Sequence, residues 1–161
     1  MHLTLDELIA YTDEERAKWE RWFDAHGEAA PLKLLPAGDL HASLGAFVLH
    51  VFGPEHHYVQ FLRGDFDFVD LSRVRTDDAA ALFDFGRRGR EQLRAWVHAA
   101  TPEDWERRVE PREEFPVPAR KIIAHVLLHE VRHWAQIAAL VRHHGLAPPG
   151  DHDLLFSAAL K

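Results

Sequence analysis

The chain of 161 residues contains no cysteine. Disulfide frameworks, thiolate-bound zinc and cysteine nucleophiles are therefore excluded, and a cysteine-free chain fits a reducing, cytoplasmic setting. No apolar run approaches about 18 residues, so no membrane span is expected. The opening Met1-His2-Leu3-Thr4 lacks the basic start and apolar stretch of a signal peptide. No lysine- or arginine-rich block offsets the formal charge of −7, which argues against a nucleic acid or an anionic membrane as partner. Internal repeats, low-complexity tracts and long linkers are missing too, so residues 1–161 are expected to form one domain around one core.

What the chain does have is apolar mass and histidine. Five Trp and ten Phe, within an apolar share of 47%, are ample for a buried interior. Thr4-x-x-Glu7 and Thr12-x-x-Glu15 both read as capping boxes, predicting a short helix feeding a longer one. Trp19, Trp22, Phe23 and His26 then form a buried stripe that Gly27 ends. A second helix is expected from near Asp39 through Val51, kinked or broken at Gly53-Pro54, resuming at Glu55 and ending near Gly64. Thr76-Asp77-Asp78 caps a third helix reaching about Ala99, and Thr101-Pro102-Glu103 opens one or two further turns. Arg107–Pro118 reads as irregular, with a short strand at Arg108–Glu110. The last long helix runs from Pro118 or Ala119 to His144, stopped by Gly145. Asp151 is expected to cap a final short helix ending at Lys161. The scarcity of strand signal makes this an all-α bundle of about four helices. The first two links between long helices read as short, and the link from the third to the fourth as the longer one, which crosses over.

Thirteen histidines stand in the chain. At this frequency chance produces about one pair four residues apart, but a run of three at that spacing only roughly 0.07 times. His125, His129 and His133 form such a run. Residues four apart share a helix face, so His129 and His133 point the same way and can share one ion. Neutral imidazole suits zinc, nickel, copper or iron. His125 and His133 stand about 12 Å apart along the axis, too far for one helix to complete the set, so a third ligand is expected from a facing helix. His50 is the first candidate, a histidine inside the apolar run Gly45–Phe52 that must be satisfied somehow. His57 is the second. His56, His143, His144, His152, His2 and His98 read as solvated or helix-end residues. Glu55, Glu130 and Gln136 are candidates for the groups that hold the ligand rings, against the plainer reading of each as a surface or capping residue.

His129-Glu130-Val131-Arg132-His133 also spells H-E-x-x-H, in which Glu130 would be a general base. The downstream histidine of one protease class is missing, and so is the downstream glutamate of another, because Glu130 is the last Glu in the chain. Upstream there is no sheet to build a peptide cleft. Glu130 is kept only as a weak catalytic candidate.

The row His125-x-x-x-His129-x-x-x-His133-x-x-Gln136-Ile137, with Leu140 and Gly145 beyond, resembles the last-helix signature of the DinB/YfiT-like family. Leu49-His50-Val51-Phe52 with Glu55 resembles its second-helix motif, and Glu15-Arg16-Ala17-Lys18-Trp19 is similar to its opening segment. The resemblance implies a four-helix bundle with a long crossover connection, often a homodimer. It implies a zinc or nickel ion on His50, His129 and His133 with open positions, and His125 as a neighbour of that site. It further implies a metal-dependent enzyme acting on a small molecule, with a low-molecular-weight thiol as co-substrate in an S-transfer, or a hydrolase. Trp134, where the family commonly has Arg, and Pro54 depart from the pattern. The competing expectation is a non-enzymatic, stress-related dimeric binding protein.

Overall fold

Thr4 opens the first helix by accepting from the Glu7 backbone N–H while the Glu7 carboxylate accepts from that of Thr4. The computed structural model describes residues 2–33, 43–111 and 115–159. Five α-helices follow in order: α1 (Leu5–Ala25), α2 (Leu44–Arg63), α3 (Ala79–Ala99), the short α4 (Pro102–Glu106) and α5 (Ala119–His143). Two-residue strands β1 (Arg108–Val109) and β2 (Val117–Pro118) pair antiparallel, Arg108 opposite Pro118 and Val109 opposite Val117. The protein is all-α, and no described helix is long and apolar enough to cross a membrane.

α2 packs on α3 and α5, and α1 packs on the same two from the other side. The long crossover is the link from α2 to α3, not the one from α3 to α5. Residues 64–78 run back along α2: His57 donates to the Val69 carbonyl, Leu71 lies on Gly53, and Thr76 lies on Gly45. α3 therefore starts beside the start of α2. A return strap held by side chains has no periodic signature in the sequence.

Three local expectations give way. Thr12 caps nothing: it lies inside α1, donates to the Ile9 carbonyl and is buried. α2 runs unbroken through Pro54. A proline inside a helix removes one backbone bond, and burial of Phe52, Gly53 and Glu55 on both sides keeps the helix in line. Its expected start at Asp39 lies outside the described residues, and α2 begins at Leu44 with the Ser43 hydroxyl accepting from the Ala46 N–H. At the end of the chain Asp153, not Asp151, caps a single 3-10 turn, Leu154–Phe156. The segment after α5 lies along α1, where Trp22 donates to the Ala147 carbonyl and Tyr11 to that of His152.

The interior has two apolar halves. One gathers Trp19, Phe23, Phe47, Phe52, Phe83 and Trp134, and the other Ile9, Val59, Leu62, Leu93, Ile123 and Leu127. Along every long helix the residue between the two halves is charged: Arg16 on α1, Glu55 on α2, Arg90 on α3 and Glu130 on α5. Their exposures are 8%, 1%, 5% and 1%. Arg16 donates to Glu130 (2.6 and 2.8 Å), to the Gly86 carbonyl (2.9 Å) and to Glu55. Arg90 donates to Glu55 (3.0 and 3.2 Å), Glu130 (2.7 Å), Thr12 (2.8 Å) and Asp13 (2.5 Å). Burial pulls the Glu55 carboxyl upward, but the Arg16 and Arg90 guanidiniums outweigh it and hold it below the usual carboxylate range.

Gly45 shows how tightly α2 is seated. A β-carbon there would stand 1.7 Å from the Thr76 carbonyl oxygen and 3.1 Å from that of Ala30. Both obstacles are backbone, so Gly45→Ala is expected to cost about 2–3 kcal/mol in denaturant melts. Gly27→Ala, with open space around it, is expected to stay within about 0.5 kcal/mol. Equal melts for the two would show that the α2 seat yields freely.

Candidate metal centre

His50 comes from the first half of α2, and His129 and His133 from the middle of α5. One ring nitrogen from each lies within 4.8 Å of the others. The rings of His50 stand 5.0 Å from His129 and 4.8 Å from His133, and His129 and His133 are 4.2 Å apart. His133 is buried, and the other two are half-buried. The Phe47 ring meets His133 edge-on at 5.4 Å.

The donor set fits a divalent ion. Gln136, one turn beyond His133, accepts from His133 Nδ1 at 2.5 Å. That bond fixes the ring's tautomer and leaves Nε2 as the lone-pair nitrogen. His129 Nδ1 is buried with no hydrogen-bonding partner, a cost of about 1–3 kcal/mol unless a ligand takes it up. Burial first, then the neighbouring His133 and His50, pushes His129 down to about 3, so its ring is neutral and able to ligate. Three imidazoles with room for a further ligand are the donor set of a catalytic rather than a closed structural site. An open groove of about 510 Å³ reaches His50, lined with it by Leu49, Pro54, His57, Tyr58 and Leu71.

Gln136→Ala is expected to weaken zinc affinity by about 10–100-fold while leaving the fold intact, because Gln136 is exposed. Competition against a chromophoric chelator measures it, and an unchanged affinity would separate Gln136 from the centre.

The other expected residues are placed as follows. His125 is exposed, its ring 5.6 Å from His129 and 5.7 Å from Tyr58. His57, the second choice for third ligand, donates Nε2 to the Val69 carbonyl at 2.9 Å. Glu130 turns inward, away from the role of base: its oxygens accept from Arg16, Arg90 and, at 3.1 Å, from Trp134 Nε1. Glu55 likewise belongs to the buried charge layer and not to the histidine rings. Two histidines read as solvated are not. His56 is buried, stacks on Phe85 at 3.9 Å and donates to its carbonyl; it fits because Gly89 leaves space for its ring. His152 stacks on Trp19 at 5.7 Å and donates to Glu15.

Arg16 and Arg90 escaped the sequence reading. The signal was there: Glu55 stands four residues from buried Val51 and Val59, and Glu130 four from buried Val126 and Trp134. Charges at such positions need opposite charges across the core.

Compared with known proteins, the chain matches a family model described as the DinB superfamily over residues 42–137, well over half its length and including all three histidines. No curated protein matches it.

Proposed function

The chain belongs to the DinB superfamily, and from that premise we propose that it is a metal-dependent enzyme holding zinc or nickel on His50, His129 and His133. The observation that carries the reading is the convergence of three imidazole nitrogens within 4.8 Å from two helices. A divalent ion bound there would supply Lewis acidity to a water or thiol at an open position. The protein's own residues do the rest. Gln136 holds the His133 ring in one tautomer. Phe47 closes one side of the triad. The groove beside His50 admits a small molecule, and the His125 ring stands beside that of His129. The buried charge layer fixes the helices that carry the ligands. The activity proposed is S-transfer with a low-molecular-weight thiol as co-substrate, or hydrolysis, in a homodimer.

Metal analysis of protein purified without an affinity tag tests the first step, with one zinc or nickel per chain expected. Thiol consumption against a panel of electrophiles tests the second, and light scattering the third. Stoichiometric metal without turnover on any electrophile or ester would favour a metal-stabilised binding protein. Absence of metal after zinc and nickel reconstitution would sink the enzyme reading.

A further inference from the structure

The seam between α2 and α5 continues past the histidines. Beyond Tyr58 it opens into a second groove of about 560 Å³, bordered by Tyr58, Phe115, Val117, Lys121, Ile122 and His125. Tyr58 lines both this groove and the one at His50, and His125 joins it to the His129 ring. The two spaces lie on either side of Tyr58. The walls of the second are apolar, with Phe115 56% exposed, a large aromatic surface without a cover. Among the described residues its far end carries a single cation. Lys121 Nζ lies 5.5 Å from the centroid of the Phe115 ring and forms no ion pair with the described residues. Among the described residues lining the two spaces, Lys121 is the one with a permanent positive charge. Lys121 stands eight residues before His129 on the same helix, about 12 Å along its axis.

We propose that this seam is the substrate path of the histidine centre, and that it takes an elongated amphiphile. The reacting group lies at His50, His129 and His133. An acyl or aromatic body packs on Tyr58, Ile122 and Phe115. An anionic terminus pairs with Lys121, at the far end of a span of about 12 Å. The inference rests on the metal reading above for one end of the ligand only; the body and the anion are read from the groove.

Mercaptoundecanoate has the required shape, with a thiol to seek the metal and a carboxylate at the other end. Its affinity for the zinc-loaded protein is compared with those of mercaptoundecanol and mercaptopropionate by calorimetry. The long acid is expected to bind more than about tenfold tighter than the short one, because each buried methylene adds affinity. Lys121→Glu is expected to weaken the long acid about tenfold and leave the alcohol unchanged. Phe115→Ala is expected to weaken both long ligands. Lys121 and Phe115 are exposed, so both variants should fold, and zinc affinity should stay constant in each. Equal binding of acid and alcohol, or of long and short acids, overturns the proposal. If zinc itself does not bind, undecanoate decides the groove alone: weakening by Lys121→Glu upholds it while the metal reading falls, and no binding removes it.

Discussion

Glu130→Ala lowers the unfolding free energy by about 3–5 kcal/mol, the range for breaking a buried ion pair from one side. At roughly 2–4 °C per kcal/mol for a chain of this size, the melting temperature drops by on the order of 10 °C. The cause is not the loss of one attraction. Glu130 is the acceptor for Arg16, Arg90 and Trp134 together, and its removal leaves two buried guanidiniums sharing Glu55, with only the half-buried Asp13 beside Arg90. Replacing Arg16, Glu55, Arg90 and Glu130 together by apolar residues of similar volume should restore most of the loss, since no charge is then stranded. The acid limb follows from the same layer. A carboxyl held below its unfolded value contributes stability above that value and loses it as pH falls. Glu55, ordinarily near 4.5, is such a group, so its share disappears progressively below about pH 4.5. A thermal melt of Glu130→Ala within a degree or two of wild type would mean that the layer is solvated and the packing described is wrong.

In zinc titrations of thermal stability, His129→Ala removes the metal response altogether. A site binding only the native state gains about 2.7 kcal/mol when the free ion exceeds the dissociation constant a hundredfold, which for this chain length is roughly 5–10 °C. With one of three ligands gone, two imidazoles cannot hold the ion at that concentration. The metal-free variant itself should melt close to wild type, because lost ring packing is offset by removal of the unpartnered Nδ1. Running zinc and nickel in parallel identifies the preferred ion. A variant that keeps the wild-type shift would show that the ion sits elsewhere, on a surface histidine such as His143.

How far these features could be read from the sequence depended on how local their causes are. The long helices were legible, since caps at Thr4, Asp78 and Thr101 act within one turn. The pair His129 and His133 was legible for the same reason. His50 was legible by contrast, a polar ring in an apolar run. The crossover was not: what returns the chain along α2 is a bond from His57 to Val69 and the fit of Thr76 over Gly45, neither of which repeats. The partners in the charge layer were hidden because each pair joins residues far apart in the chain, although Glu55 and Glu130 both lie on the apolar faces of their own helices. Thr12 misled because its hydroxyl serves Arg90, across the core, and not its own helix end.

The order in which the four charges arrive has a consequence for synthesis. Arg16, Glu55 and Arg90 leave the ribosome first, and Glu130 comes only with α5. Until then Arg16 has only Glu55 as a carboxylate partner, while Arg90 keeps Glu55 and the half-buried Asp13. A nascent chain ending before Ala119 would bury Arg16 with one of its two carboxylate partners missing, which favours a loose association of the earlier helices until α5 arrives. Closing of the interior would then wait for α5, the same helix that delivers His129 and His133.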